Sequence, residues 1–119
     1  ILTLQKLDKL KEKKLWQQGL VKEFHSEITE IIRRYFEDRY NFNSLEMTTS
    51  QTVQILNRVM DNQKMIETSQ SFLENADMVK FAKFVPLPSV NDEMMNQAYD
   101  IVQKTKKEED FQIGVSRVQ

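Results

Sequence analysis

The sequence predicts an all-α protein, a compact bundle of four to five helices. Apolar residues recur at intervals of three and four in successive segments, the period of helices that bury one face. The 119 residues include two Gly and two Pro, far fewer breakers than a β-rich or loop-rich fold requires. No segment alternates apolar with polar residues, and no stretch repeats another.

The first segment, Leu2 to Gln18, sets Leu4, Leu7 and Leu10 at spacings of three among many lysines, which suits an amphipathic helix. Gly19 is its expected stop, because glycine adopts positive φ at little cost. From Leu20 to Tyr40, Val21, Phe24, Ile28, Ile31 or Ile32, and Tyr35 mark one stripe of a core-facing helix, and Glu30 and Arg34 form an i,i+4 pair. Asn41 to Met47 reads as a connector with Asn41, Asn43 and Ser44 as turn formers; Phe42, Leu45 and Met47 predict that it packs down on the core.

Thr48-x-x-Gln51 matches a capping box, so a short helix should begin there, carry Val53, Ile55, Leu56, Val59 and Met60, and close at Asp61-Asn62. The next helix runs from Met65 to Phe84, with Ile66, Phe72 or Leu73, Ala76, Val79 or Phe81, and Phe84 inward and Asp77, Lys80 and Lys83 outward. Pro86 should end it by Val85, and Pro86-Leu87-Pro88 reads as an extended strap. Ser89 with Asn91 or Asp92 is the expected cap of a last helix reaching about Lys106, with Met94 or Met95, Ala98, Ile101 and Val102 inward. This divides the chain into a basic leading helix (residues 1–19), a helical bundle domain (20–106) and a frayed tail (107–119).

Seventeen Lys and Arg against eighteen Asp and Glu leave a formal charge of −1, which gives no global reason for a nucleic-acid partner. There is no run of 18 apolar residues within the chain. With no cysteine, thiolate zinc sites and cysteine nucleophiles are excluded. His25 is the sole histidine, and its neighbour Ser26 points about 100° away on a helix, so the two cannot act as a nucleophile and base. The Glu-x-x-His pairs of dinuclear carboxylate bundles are absent, as is any glycine-rich phosphate loop. The expectation is therefore no enzyme, no metal, no cofactor and no small-molecule substrate.

Two features invite a binding role. Lys6, Lys9, Lys11, Lys13 and Lys14 crowd the first segment against Asp8 and Glu12; they form either a solvated helix face or a basic patch facing phosphates or a membrane. Arg33, Arg34, Arg39, Lys80 and Lys83, with Tyr35, Phe36, Tyr40, Phe81 and Phe84 beside them, form a candidate interaction surface. Helical phase puts those rings in the core with the cations reaching past them to water. The rival reading is a helical nucleic-acid-binding regulator that uses the helix from Thr48 as its reader.

Lys14-Leu15-Trp16-Gln17-Gln18-Gly19, the run from Val21-Lys22-Glu23-Phe24 to Arg33-Arg34-Tyr35-Phe36, Leu45-Glu46-Met47-Thr48-Thr49 and Ala76-Asp77-Met78-Val79-Lys80-Phe81-Ala82-Lys83 together carry a resemblance. Over residues 2 to 105 the chain resembles the C-terminal cytoplasmic region of Bacteroidetes membrane proteins of the Bat (aerotolerance) gene neighbourhood. The resemblance implies an exported region, one membrane helix upstream, and then this bundle on the cytoplasmic face of the inner membrane. It implies as partners a MoxR-type AAA+ ATPase and von Willebrand A-domain proteins, and it supplies no catalytic residue. The start at Ile1 followed by lysines 6 to 14 fits the Lys-rich flank of such a helix, which tips the basic segment toward a juxtamembrane role.

Overall fold

A computed structural model describes residues 2–82 and 85–107. Five helices, α1 (Leu2–Lys13), α2 (Val21–Tyr40), α3 (Thr49–Val59), α4 (Gln63–Ala82) and α5 (Pro88–Thr105), pack around one core, and there is no strand among the described residues. None of these helices is long and apolar enough to cross a membrane.

The first helix ends earlier than Gly19 predicts. Lys14 takes positive φ (49°), and the Gln18 amide folds back to donate to the Lys13 and Lys14 carbonyls, meeting orphan acceptors of the helix end. A 3-10 turn over Trp16–Gln18 follows, and Gly19 (φ 86°) closes that turn instead of the helix. Nor is the segment a separate leader. Leu7 (0% exposed) and Leu10 (2%) lie in the common core, so the division expected at residue 19 is a turn within one bundle.

On α2 the stripe Phe24, Ile28, Ile32 and Tyr35 is buried, with Ile32 rather than Ile31 fully inside. His25 and Phe36 are buried beside it, because α2 meets α1, α4 and α5 and so hides a wider arc than one neighbour would. The connector follows a left-handed Asn41 (φ 60°) and turns through a 3-10 segment over Ser44–Glu46. Ser44 is buried and Phe42 half-buried, whereas Leu45 stays exposed, against expectation.

The capping box at Thr48 forms in full: Thr48 Oγ1 accepts from the Gln51 N–H (3.1 Å), and Gln51 Oε1 accepts from the Thr48 N–H (3.0 Å). Helix α3 then ends at Val59, and Asn62, expected to close it, caps α4 instead by accepting from the Met65 N–H. Helix α5 begins at Pro88, whose missing N–H suits a first helical position, with Leu87 as its cap and no role for Ser89. Both Met94 and Met95 are buried, together with Ala98, Ile101 and Val102. Phe84, Lys83 and the expected frayed tail beyond Lys107 lie outside the described residues.

Side-chain ties fix the helix directions. His25 meets Asn91, Tyr35 meets Thr105 and Arg39 meets the Thr105 carbonyl, so both residue numbers rise together and α2 and α5 run parallel. Lys13 meets Glu27 across the α1–α2 turn, and Thr49 meets Asp77 across the α3–α4 turn, so each of those pairs is an antiparallel hairpin.

Candidate functional site

Helix α2, the start of α3 and the last turns of α4 diverge to leave an open cleft of about 600 Å³. Its α2 wall carries Lys22, Ser26, Thr29, Glu30 and Arg33; its α4 wall carries Ala76, Asp77, Val79, Lys80 and Phe81; the connector and α3 close one end with Leu45 to Thr49. The last turn of α4 keeps Val79 buried but leaves the Phe81 ring 73% exposed, which corrects the expectation of a core Phe81.

Arg33 organises the closed end. Its Nη1 lies 2.6 Å from the Ser44 carbonyl, 3.0 Å from the Met47 carbonyl, 3.1 Å from Thr52 Oγ1 and 3.3 Å from Ser44 Oγ, and its two N–H groups donate among these four. Burial lowers the Arg33 pKa, and the Asp77 carboxylate pulls it back up. Asp77 in turn accepts from Thr49 Oγ1 at 2.6 Å, which sets a carboxylate at the positive end of the α3 dipole. This network holds the connector in place, so Arg33 is a structural cation and not a free surface group.

His25 lies at the cleft floor, 3% exposed. Since Asn91 Oδ1 can only accept, His25 donates to it from Nε2 (2.7 Å), and Nδ1 is left as a buried acceptor with no hydrogen-bond partner. Burial lowers the His25 pKa, with the Asn91 contact opposing, so the ring is neutral at pH 7. Neither Ser26, exposed on the cleft wall, nor any carboxylate is hydrogen-bonded to the ring. Among the described residues no group of three or more His, Cys, Asp or Glu converges on a metal position.

The remaining expected site residues do not assemble into one surface. Arg34 is exposed and paired with Glu30 (3.7 Å). Arg39 is half-buried near the opposite end of α2, donating to the Thr105 carbonyl (2.8 Å) and stacking 4.7 Å from the Tyr40 ring centroid. Burial raises the Tyr40 pKa, against the smaller opposing effects of Arg39 and Thr105. Lys80 is exposed at the cleft, its Nζ 5.2 Å from the Phe81 ring centroid. The rings that a stacking surface would need, Tyr35 and Phe36, are buried. Lys6, Lys9, Lys11, Lys13 and Lys14 are all exposed on or just after α1, and Lys13 bonds both oxygens of Glu27 at 3.1 Å.

Sequence reasoning did not find the cleft, because its walls join residues from three helices that no spacing relates. The one signal available was Leu45 and Met47 in a connector next to a cap, apolar residues with no helical stripe of their own. No family model, curated protein or solved structure matches the chain.

Proposed function

We propose that this bundle is a non-enzymatic protein-interaction module, the cytosolic tail of a membrane-anchored protein that works with a MoxR-type AAA+ ATPase and von Willebrand A-domain partners in a stress or aerotolerance role. The observation that carries the interaction reading is Phe81, a large ring standing in water at the rim of a 600 Å³ cleft. Within the monomer such exposure gains nothing, whereas aromatic anchors beside a concavity dominate the energetics of protein interfaces. The cleft also balances its charges, with Lys22, Arg33 and Lys80 against Glu30, Glu46 and Asp77. That balance suits a protein surface better than a polyanion, whose binding depends on uncompensated cations. The membrane anchor and the identity of the partners rest on the sequence resemblance.

The test is a photo-crosslinking residue placed at Phe81 of the full-length gene product in its native cell, with exposed Gln54 on α3 as the control position. Adducts to the ATPase or to an A-domain protein from position 81 and not from 54 are expected. Absence of both, with the protein folded and expressed, would overturn the reading.

A further inference from the structure

We infer that α1 carries a docking surface for an anionic lipid membrane, and that docking there leaves the cleft facing the aqueous phase. The inference deepens the proposed membrane-associated role and rests on it. Leu2, Lys6, Lys9 and Lys13 follow one another at spacings of four, three and four, so they form a single row along the helix, roughly 16 Å long. All four are exposed, Leu2 at 63%. Asp8, one of the two acids of the helix, is engaged elsewhere. Asp8 accepts from the Tyr99 hydroxyl of α5 at 2.5 Å, and burial, reinforced by Asp8 and more weakly by Glu12, pushes the pKa of that hydroxyl up to about 12. Lys13 is bonded to Glu27, whereas Lys6 and Lys9 have no ion pair among the described residues.

A lysine row whose neighbour Asp8 is tied to another helix is what a surface of negative headgroups would meet. Several details select lipid over nucleic acid. The row uses lysines, compact cations on flexible stems, and has no arginine fork to grip a phosphate. It also contains an exposed leucine in line with the cations, which a bilayer interface rewards and a polyanion in water does not. The placement matters as much as the charge. Helix α1 packs on α2 and α5, while the cleft is built from α2, the connector, α3 and α4. A bundle lying on α1 therefore leaves the Phe81 rim open to a partner.

Co-sedimentation of the 119-residue chain with phosphatidylcholine vesicles, with and without phosphatidylserine, tests this at low and raised ionic strength. Binding is expected only with phosphatidylserine and should weaken with salt. Each lysine near an anionic leaflet contributes roughly a fivefold gain in partition, so Lys6→Glu with Lys9→Glu should lower it by at least about twentyfold. Circular dichroism of that variant should match the parent, since both side chains are exposed. Leu2→Ser should weaken binding at raised salt, where the apolar contact carries more of it. Equal binding to neutral vesicles, no binding to anionic ones, retention in the double variant, or tighter retention on duplex DNA would each overturn the inference. Phe81→Ser should bind vesicles like the parent, so failure of the cleft reading and failure of the membrane reading remain distinguishable.

Discussion

His25 and Asn91, 66 residues apart in sequence, share a 2.7 Å hydrogen bond inside the core and tie the N-terminal halves of two parallel helices. At the other end of the same helices, Tyr35 and Thr105 share a second bond of 2.7 Å, and Arg39 adds a third tie to the Thr105 carbonyl. Helices α2 and α5 are thus pinned near both ends by polar contacts with apolar packing between. Each of these contacts pairs a donor with an acceptor, which offsets the cost of burying them, and together they fix the register of the two helices.

The histidine makes that tie pH-sensitive. Burial depresses its pKa in the folded protein below the usual value near 6.5. As pH falls through that value the unfolded chain takes up a proton while the native ring still resists one, so stability declines. It is fully present above pH 6.5 and levels off again only below the folded pKa. Urea midpoints should therefore drop between pH 7.5 and 5.5, above the range where ordinary carboxylates titrate. In His25→Gln, where an amide replaces the ring, the drop should vanish; an equal drop in that variant would remove His25 as its source.

The connector depends on Arg33 in a comparable way. Arg33→Met keeps most of the aliphatic stem but leaves the Ser44 and Met47 carbonyls and the Thr52 hydroxyl without their cationic donor. A loss of about 2–3 kcal/mol is expected from urea denaturation. Faster thermolysin cleavage between residues 41 and 47 should accompany it. A change under about 0.5 kcal/mol would show that the connector is held by its apolar contacts alone.

Much of this architecture was legible in the sequence. The stripes on α2, α4 and α5 could be read because each helix buries a continuous face, and burial imposes its period on residue choice. The capping box at Thr48 was legible because both of its bonds close within four residues. What escaped is what depends on distance. The partners of His25 and Arg33 lie on other elements, and nothing local marks a histidine as an inter-helix tie or an arginine as a loop organiser. Phe81 was misplaced for a simpler reason: the periodic pattern of α4 runs to its last turn, but a period does not say whether another element covers that turn, and the ring is left exposed.

Helix α1 is part of the fold and not an appendage, which Leu10→Ala should demonstrate. Leu10 is 2% exposed among core residues, so truncation should cost about 2–4 kcal/mol. Unfolding should remain a single transition with both far-UV and Trp16 fluorescence signals coincident. A separate early transition of the tryptophan signal would mean that α1 and its turn detach independently.

The turn after α1 contains two left-handed positions with opposite expectations. Gly19 (φ 86°) has open space around its missing Cβ, so Gly19→Ala should destabilise through backbone conformation alone, by about 1 kcal/mol. Lys14 holds φ 49° with a side chain attached, so Lys14→Gly should relieve that cost. Extra freedom in the unfolded chain offsets part of the relief, leaving a gain of about 0.5 kcal/mol. Thermal unfolding of the two variants should shift in opposite directions, and a shared direction would contradict the turn geometry.

Phe81 and Phe72 lie nine residues apart on one helix and should behave as opposites. Phe72 is fully buried, so Phe72→Ala should cost about 3–5 kcal/mol through the cavity it leaves. Phe81→Ser removes a ring that is 73% exposed and should change stability by less than about 0.5 kcal/mol. If the ring anchors a partner, the same variant should weaken that complex at least about tenfold, because truncating a central aromatic commonly costs 2 kcal/mol or more of binding. The pairing of an unchanged urea midpoint with a lost partner is the signature of a residue kept for an interface. Matching destabilisation by the two substitutions would mean instead that the last turn of α4 is covered in solution, and that the cleft is closed by this chain itself.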